Sequence, residues 1–437
     1  MSQIETPAAE PTADASGQSV ADVLAPLVEA LLGNELRVRF EFWDGSGFGS
    51  TDPVGTIRMT SPDALRRILW RPDELGLGRA FVAGDVEAEG DMFDFVLAFR
   101  DAKPKTVTPK RELARLAFAA ARSLKLIRPP VKPPEIEAKL GGWRHSLGRD
   151  RKAITHHYDV GNDFYRLVLG PSMTYSCARF VDDDATLEDA QAAKYELICR
   201  KLGLHERPGA TLLDVGCGWG SMAIHAALHH GATVVGVTIS DAQAVRARER
   251  VAEAGVADRV AIRIQDYRTL TGETFDAISS IGMSEHVGGA NLQKYFDVLA
   301  ALLKPKGRLL NHAITSIGGS KITPASFMGR YVFPDSELID VGNIVLGMEK
   351  AGFEIRDVES LREHYAKTLR VWVDNLESQW DRAVELVGLP RAKVWRLYMA
   401  GCAIAFDDGG LGLHQVLGVR PDSDGVSAMP LTRRSLD

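Results

Sequence analysis

The second half of the chain alternates between apolar runs and amphipathic segments. Seven stretches of five to eight residues are nearly continuous in apolar residues, and turn-forming residues bound them. Such runs are typical of strands buried on both faces, as in a parallel sheet that is covered by helices. The pattern therefore predicts an α/β fold with a seven-stranded Rossmann-like sheet. Its strands are expected at Thr211–Val215, Thr233–Ile239, Val260–Gln265, Phe275–Ile281, Arg308–Ile314, Phe353–Ser360 and Leu413–Val419.

Amphipathic segments with helical periodicity separate these strands. Helices are predicted at Asp241–Ala254, Asn291–Leu303 and Asp335–Ala351, and Asp335-Ser336-Glu337 offers capping side chains for the third. A helical insert, Ala366–Phe406, interrupts the alternation before the last strand. This insert either packs as ordinary helices or covers an apolar ligand. Its aromatic residues are Trp372, Trp380, Trp395, Tyr398 and Phe406.

The first part of the chain has a different organisation. Residues 1–17 are rich in Ala, Pro, Ser and Thr and are predicted to be disordered. A helix at Ala21–Leu32, strands at Leu36–Phe42 and Gly55–Met59, and a helix that begins at Ser61-Pro62 predict a small α+β domain. We place this domain at residues 18–102, a basic helix with a Pro-rich linker at 103–150, the sheet domain at 151–420 and a flexible tail at 421–437.

The linker region is strongly basic. Residues 103–152 contain fourteen Lys and Arg against four Asp and Glu. Within it, apolar residues at helical spacing form a stripe flanked by basic side chains. That stripe either packs on a neighbouring domain or lies on an anionic lipid surface, and the two interpretations are compatible. The stripe consists of Leu113, Leu116, Ala120, Leu124 and Ile127.

Composition excludes several classes of protein. The chain of 437 residues is 45% hydrophobic, as a globular protein is, and its net charge of −6 argues against a nucleic-acid binder. The four cysteines form no Cys-x-x-Cys pair, so neither a disulfide framework nor a metal site is predicted. The sequence has no signal peptide and no apolar stretch of about 18 residues. We therefore expect a cytoplasmic protein that does not span a membrane.

A glycine turn marks the first candidate site. Leu212–Gly220 reads Leu-Leu-Asp-Val-Gly-Cys-Gly-Trp-Gly, an apolar strand that leads into a turn and a helix. No Gly-Lys-Ser/Thr follows, and the glycines alternate instead of forming Gly-x-Gly-x-x-Gly. The turn thus predicts a site for a nucleoside-bearing cofactor at the carboxyl end of the first strand.

Three polar side chains follow other strands at the same edge of the predicted sheet. Glu285 follows the fourth strand, His312 lies near the end of the fifth, and Tyr365 follows the sixth. Ligands of such sheets bind beyond the carboxyl ends of the strands. We therefore expect the three side chains to approach the site at the glycine turn.

Five motifs give the chain a family resemblance over about Thr155 to Val419. The glycine turn is one of them. Together they resemble the cyclopropane-fatty-acyl-phospholipid synthases and the mycolic acid methyltransferases, which use S-adenosylmethionine. The N-terminal domain and the basic linker suit the longer, phospholipid-acting synthases. The other motifs are His157–Phe164, Met173–Cys177, Ile281–Gly288 and Tyr331–Pro334.

The resemblance implies two sets of site residues. The first would bind a bicarbonate ion and consists of Cys177, Glu285, His312, the main chain of Ile314, and Tyr365. The second would hold S-adenosylmethionine and consists of Tyr175, Ser176, Gly216, Gly218, Thr238, Gln243, Asp266 and Tyr267. Cys177 is expected to be a wall of the anion site and not a nucleophile, because methyl transfer needs no covalent enzyme intermediate.

The implied reaction adds a methylene group to a cis double bond of an unsaturated phospholipid acyl chain. The alkene takes the methyl group, and bicarbonate removes a proton from the carbocation so that a cyclopropane ring closes. A hydride shift in the cation followed by loss of a different proton would give a methylene-branched chain, and the sequence leaves this alternative open. The substrate implies a partner, an anionic membrane surface at the inner membrane face. A homodimer is compatible with the sequence.

Two other functions remain to be weighed. The intact Glu285, His312 and Tyr365 argue against a catalytically idle lipid-binding protein. The basic segment argues against a methyltransferase for small soluble molecules, which would not need it. The second strand also ends without the acidic residue that usually holds the cofactor ribose in generic methyltransferases.

Overall fold

The computed structural model describes residues 17–102, 108–138, 149, 160–319 and 322–436. Two compact units form. The first runs to Glu137 and includes Ala325–Phe327 and Lys393–Gly401. The second contains the remaining residues from Ala138 onward. The disorder predicted for residues 1–16 and the start of the motif His157–Phe164 lie outside the described residues.

A four-stranded mixed sheet forms the core of the first unit, which confirms the predicted α+β domain. Its strands are β1 (Val38–Phe42), β2 (Gly47–Gly49), β3 (Gly55–Met59) and β4 (Val86–Gly90), in the order β2-β1-β3-β4. The sequence pattern did not predict β2 and β4, because their glycine and glutamate residues leave too few apolar residues to mark a strand. The helices are α1 (Val20–Leu32), α2 (Pro62–Trp70), α3 (Glu74–Ala83), α4 (Met92–Asp101) and α5 (Lys110–Ser123).

The basic helix α5 belongs to this first unit and packs against α1. Ala120 is buried, and Leu124 packs on the same apolar cluster. Part of the predicted apolar stripe therefore packs against the core of the first unit. Phe118 and Ile127 nevertheless stay 60% and 57% exposed beside exposed basic side chains.

The second unit contains the predicted seven-stranded sheet, in the order β11-β12-β9-β8-β5-β6-β7. Strands β5 to β9 are parallel to one another, whereas β12 runs antiparallel to both of its neighbours, β11 and β9. A two-residue strand pairs with the end of β9. The strands are β5 (Thr211–Val215), β6 (Thr233–Thr238), β7 (Val260–Ile264), β8 (Phe275–Ile281), β9 (Leu303–Ser316), β10 (Ile339–Asp340), β11 (Glu354–Ser360) and β12 (Leu411–Val419).

Helices accompany these strands. Because β12 is antiparallel to β11, the helical insert between them begins and ends at the same edge of the sheet. The remaining helices are α6 (Asn162–Leu169), α7 (Leu187–Leu202), α8 (Ser221–His230), α9 (Asp241–Glu253), α10 (Ser284–Val287), α11 (Leu292–Leu302), α12 (Phe327–Tyr331), α13 (Val341–Lys350), α14 (Arg362–Ser378), α15 (Trp380–Val387) and α16 (Leu389–Asp407).

One predicted helix start is wrong. The helix expected from Asp335 begins at Val341 instead. Asp335 has a positive φ of 67° and pairs with Arg149 at 2.5 Å, so it cannot open a helix. Glu337 is also engaged elsewhere, because its N–H donates to the carbonyl of Glu285 at 2.9 Å. The segment 335–338 therefore wraps around α10 before α13 begins.

The chain after β12 packs on the second unit and differs from the flexible tail predicted for 421–437. Leu436 is buried in an apolar cluster. Arg433 lies 2.7 Å from the buried Asp357, which also pairs with Lys201. Neither contact could be predicted from the sequence pattern, because each involves a partner that is distant in the chain. Among the described residues, no helix is long and apolar enough to cross a bilayer.

Candidate functional site

A cavity of about 290 Å³ lies beyond the carboxyl ends of β5 and β6. This is the position at which sheets of this type bind ligands. The residues that the sequence assigns to a cofactor all line it: Tyr175, Ser176, Gly216, Gly218, Thr238, Gln243, Asp266 and Tyr267. The five residues assigned to the anion do not line this cavity.

The glycine turn shapes one side of the cavity. The N–H groups of Gly216 and Cys217 both donate to the carbonyl of Val237 on β6, at 2.9 and 3.0 Å, which fixes the turn to the sheet. Gly216 and Gly218 have positive φ angles, 75° and 53°, that other residues rarely adopt. A Cβ atom on Gly216 would lie 2.4 Å from Sδ of Met283. Gly218 has nothing within 4 Å of that position, so bare main chain faces open space there.

The ends of β6 and β7 supply polar groups. Thr238 donates to Oε1 of Gln243 at 3.0 Å, and no acidic side chain ends β6. Asp266 follows β7 and pairs with Arg268 at 2.7 Å. Burial raises the pKa of Asp266, but the hydrogen bonds from Arg268 outweigh burial and hold it below its ordinary value. The cavity therefore presents a neutral amide and hydroxyl on one strand and an ionised carboxylate on the next.

Glu285 is buried at the start of α10, directly after β8. Its Oε1 accepts a hydrogen bond from the N–H of Ile314 on the neighbouring strand β9, at 2.8 Å. Burial raises the pKa of Glu285 to about 7, although the Ile314 bond opposes this. The Ile314 N–H, which the family resemblance assigns to an anion, thus donates to Glu285 in this structure, and its contact with an anion stays a prediction.

His312 lies on β9 and presents an unused nitrogen. Its Nδ1 lies 3.3 Å from the side-chain amide nitrogen of Gln415. If that amide donates, the imidazole proton is on Nε2. Nε2 is buried and has no hydrogen-bond partner among the described residues. Burial, with nearby Lys194 and Lys201, lowers the pKa of His312 to about 3, so the ring is neutral at pH 7.

Cys177 and Tyr365 both contact the backbone carbonyl of Leu361. The carbonyl of Leu361 lies 3.6 Å from Sγ of Cys177 and accepts the N–H of Tyr365 at 3.2 Å, in the first turn of α14. Burial raises the pKa of the Cys177 thiol far above its usual range, so it stays protonated. A protonated thiol is a poor nucleophile, which agrees with the expected passive role of Cys177.

Trp372 connects the cavity with Tyr365. Its ring is 5.4 Å from the ring of Tyr175, which lines the cavity, and 6.0 Å from the ring of Tyr365. Tyr365 also packs at 4.7 Å against Phe406 near the end of α16. Aromatic side chains of the insert therefore extend from the cofactor residues to one of the anion residues. Aromatic faces also favour positive charge.

Sequence reasoning missed two buried charged groups beside these sites. Lys194 on α7 is fully buried, and its Nζ donates to Oγ of Ser176 at 2.9 Å. Burial lowers the pKa of Lys194 to about 7 and raises that of Asp214 on β5 to about 6. Lys194 thus fixes Ser176 next to Cys177. The available signal was a lysine on the apolar face of α7.

Comparison with known proteins gives consistent matches. A sequence model of the family described as mycolic acid cyclopropane synthetase matches residues 145–416. A probable fatty acid methyltransferase of Mycobacterium tuberculosis is 42% identical over 406 residues, which cover 90% of this chain and 93% of that protein. The cyclopropane-fatty-acyl-phospholipid synthase of Escherichia coli K12 is 35% identical over 374 residues, covering 85% and 89%.

A solved structure shares the fold of the second unit. Mycolic acid cyclopropane synthase CmaA1, complexed with SAH and CTAB, superposes with a TM-score of 0.58 at 33% identity. The match covers 61% of this chain and 97% of that chain. The seven-stranded sheet and its helical insert are therefore those of a methyltransferase fold.

Burial of Glu285 predicts a pH-dependent stability. Its folded-state pKa of about 7 lies above the ordinary 4.5, so the stabilisation linked to its proton is present below about pH 4.5 and is lost as pH rises through 7. Glu285→Gln keeps an acceptor for Ile314 but has no such proton. Chemical denaturation should show that the free energy of unfolding of the variant rises by roughly 3 kcal/mol relative to that of the wild type between about pH 5 and pH 8. If the difference in free energy of unfolding between the two proteins did not change with pH, the raised pKa of a buried Glu285 would be contradicted.

Proposed function

Because the chain belongs to the mycolic acid cyclopropane synthetase family, we propose that it converts cis double bonds of unsaturated phospholipid acyl chains to cyclopropanes. S-adenosylmethionine is the proposed methylene donor. The observation that carries the proposal is the single cavity at the glycine turn that all eight predicted cofactor residues line. The CmaA1 relative, solved with SAH, supports this choice of cofactor.

The residues of the cavity fit that cofactor. S-adenosylmethionine, when bound, supplies an electrophilic methyl group. Gly218 leaves room for a ligand against bare main chain, and the ionised Asp266 can accept hydrogen bonds from a nucleoside. Tyr175 brings an aromatic face that suits a sulfonium cation. Because an alkene is a weak nucleophile, holding the two reactants in line supplies much of the rate.

We assign a bicarbonate site to Cys177, Glu285, His312 and Tyr365. Bicarbonate, when bound, would supply the base that removes a proton after methyl transfer. The orphaned Nε2 of His312 supports the assignment, since a buried donor without a partner suits an anion. Glu285, with a pKa of about 7, can hold or release a proton at its carboxyl group at neutral pH.

The aromatic side chains in and beside the helical insert suit an apolar substrate. Trp372, Tyr365 and Phe406 form adjoining rings beside the proposed anion residues. Such a wall excludes water from an acyl chain and stabilises a developing cation through aromatic faces. This arrangement supports an alkene substrate over a polar one.

The first unit supports docking on an anionic membrane surface. α5 exposes Lys110, Arg111 and Arg122, while Phe118 is 60% exposed. Basic side chains that flank exposed apolar groups are suited to the headgroup region of a bilayer. We therefore propose peripheral association with the inner membrane face.

The alternative product is a methylene-branched acyl chain. The relative described as a probable fatty acid methyltransferase is 42% identical, against 35% for the cyclopropane synthase of E. coli. The same cation closes the ring if the base removes a proton from the new methyl group at once. It gives the methylene branch if a hydride shift first moves the positive charge to the methyl-bearing carbon and the methyl group then loses a proton. The timing of proton removal relative to the hydride shift therefore decides the outcome.

Proton NMR of the lipid product tests the function. Purified protein, S-adenosylmethionine and vesicles of dioleoyl phospholipid are expected to give high-field cyclopropyl signals. Vinylidene signals would establish the methylene-branched alternative, and unchanged oleoyl lipid with no consumption of S-adenosylmethionine would contradict both. Vesicles of saturated phospholipid serve as the control, because they offer no alkene.

Variants of the anion residues separate their roles. Glu285→Gln and Tyr365→Phe should each lower kcat by about 100-fold or more, because proton transfer loses its partner groups. Cys177→Ser should keep kcat within about tenfold, since the thiol stays protonated. All three should bind S-adenosylhomocysteine like the wild type in calorimetry. A Cys177→Ser protein that binds this ligand but is inactive would overturn the passive role of the thiol.

Electrostatic docking predicts a salt dependence. Activity on anionic vesicles should fall as ionic strength rises from about 0.05 to 0.5 M, because salt screens attraction between α5 and the lipid. The triple variant K110Q/R111Q/R122Q should show a low, salt-independent activity on vesicles. R382Q, on the exposed face of α15, is the matched control and should behave as the wild type. An unchanged triple variant would remove α5 from the docking surface.

A further inference from the structure

Two helices of the second unit bring together four side chains of types that bind metal ions. Glu196 and Cys199 lie three residues apart on α7, and His225 and His230 lie on α8. The ligand atoms of Cys199, His225 and His230 all lie within 4.8 Å of one another. Because residues three apart share a face of a helix, the carboxylate and the thiol of α7 approach the same pair of imidazoles.

The carboxylate of Glu196 lies between the two imidazoles. Its Oε2 is 2.9 Å from Nε2 of His230 and 3.7 Å from Nε2 of His225. The second distance is too long for a hydrogen bond. Nε2 of His225 is buried and has no hydrogen-bond partner among the described residues. One carboxylate oxygen and two ring nitrogens therefore converge, and one nitrogen is unused.

The donor types suit a cation. Imidazole nitrogens and carboxylate oxygens are common ligands of transition metals. The carboxylate of Glu196 also accepts a hydrogen bond from Arg200 at 2.9 Å, which holds it in place on α7. Cys199 closes the buried side of the cluster with a thiol.

We propose that this cluster is a structural Zn²⁺ site with four ligands: Glu196, Cys199, His225 and His230. A thiolate, two imidazoles and a carboxylate suit Zn²⁺, and four protein ligands complete a tetrahedral shell without an open position. Binding replaces the S–H bond of Cys199 by an S–Zn bond and releases one proton to solvent, with no change of oxidation state. The two pairs of ligands, Glu196 with Cys199 and His225 with His230, are 26 residues apart along the chain, and neither contains a Cys-x-x-Cys motif, so the sequence analysis did not detect the site.

A zinc ion at this cluster would link α7 and α8, two helices beside the cofactor cavity. α8 begins at Ser221, directly after the glycine turn, and α7 carries Tyr195, which lines the cavity. The ring of Tyr195 is 5.6 Å from that of His225. Zinc is therefore expected to stabilise the pairing of α7 with α8 while leaving the reacting groups untouched.

Metal content and cobalt spectroscopy test the proposal on untagged, full-length protein. Equilibrium dialysis with Zn²⁺ followed by elemental analysis should give about one zinc per chain in the wild type. Dialysis against Co²⁺ should give the intense visible bands of tetrahedral cobalt and a thiolate-to-cobalt charge-transfer band. Cys199→Ser should lose the charge-transfer band, and the double variant H225A/H230A should lose stoichiometric binding.

His205→Ala is the matched control, since His205 pairs with Glu206 and is not one of the four proposed ligands, so its loss should change neither measurement. Zinc should also raise the thermal midpoint of the wild type and of His205→Ala, but not that of H225A/H230A. Wild-type protein that retains no more zinc than H225A/H230A would overturn the proposal. A cobalt spectrum without a charge-transfer band would do the same, and it needs no variant to fold.

Discussion

The hydrogen bond between the N–H of Ile314 and the carboxyl group of Glu285 is the interaction on which the proposed chemistry depends. It exists because β8 runs parallel to β9 until Ile281 lies opposite His312, and β9 continues to Ser316, so that Glu285, four residues past the end of β8, meets the main chain of β9. The same pairing carries His312 beside the end of β8, where its carbonyl accepts the N–H of Gly282 at 2.8 Å. The parallel sheet therefore places an acid, an imidazole and the glycine turn at one edge.

Burial gives these groups their chemical character. Glu285 and Asp214 have raised pKa values, and Lys194 and His312 have lowered ones, chiefly because burial penalises the charged form. Glu285, Asp214 and Lys194, which would be charged in water at pH 7, can thus hold or release protons near neutral pH, whereas His312 stays neutral. Since buried polar groups are costly without partners, the Nε2 of His312, which has no partner among the described residues, supports the proposed anion site.

Much of this arrangement could be predicted from the sequence, because apolar runs and glycine spacing are local signals. Strands β5 to β9 and the cofactor side of the cavity follow from them. The start of α13 could not be predicted, because it depends on the ion pair of Asp335 with the distant Arg149. The engaged Ile314 N–H, the packed Leu436 and the cluster at Cys199 also depend on contacts between distant segments.

Dependence of turnover on bicarbonate tests the central claim most directly. Methylene transfer to oleoyl phospholipid is measured in buffer freed of carbon dioxide, before and after bicarbonate is added at constant pH and ionic strength. The account predicts that the wild type loses most of its activity without bicarbonate and regains it on addition, while affinity for S-adenosylhomocysteine stays unchanged. Full turnover in the depleted buffer would contradict the assignment of an anion to His312, Glu285 and Tyr365.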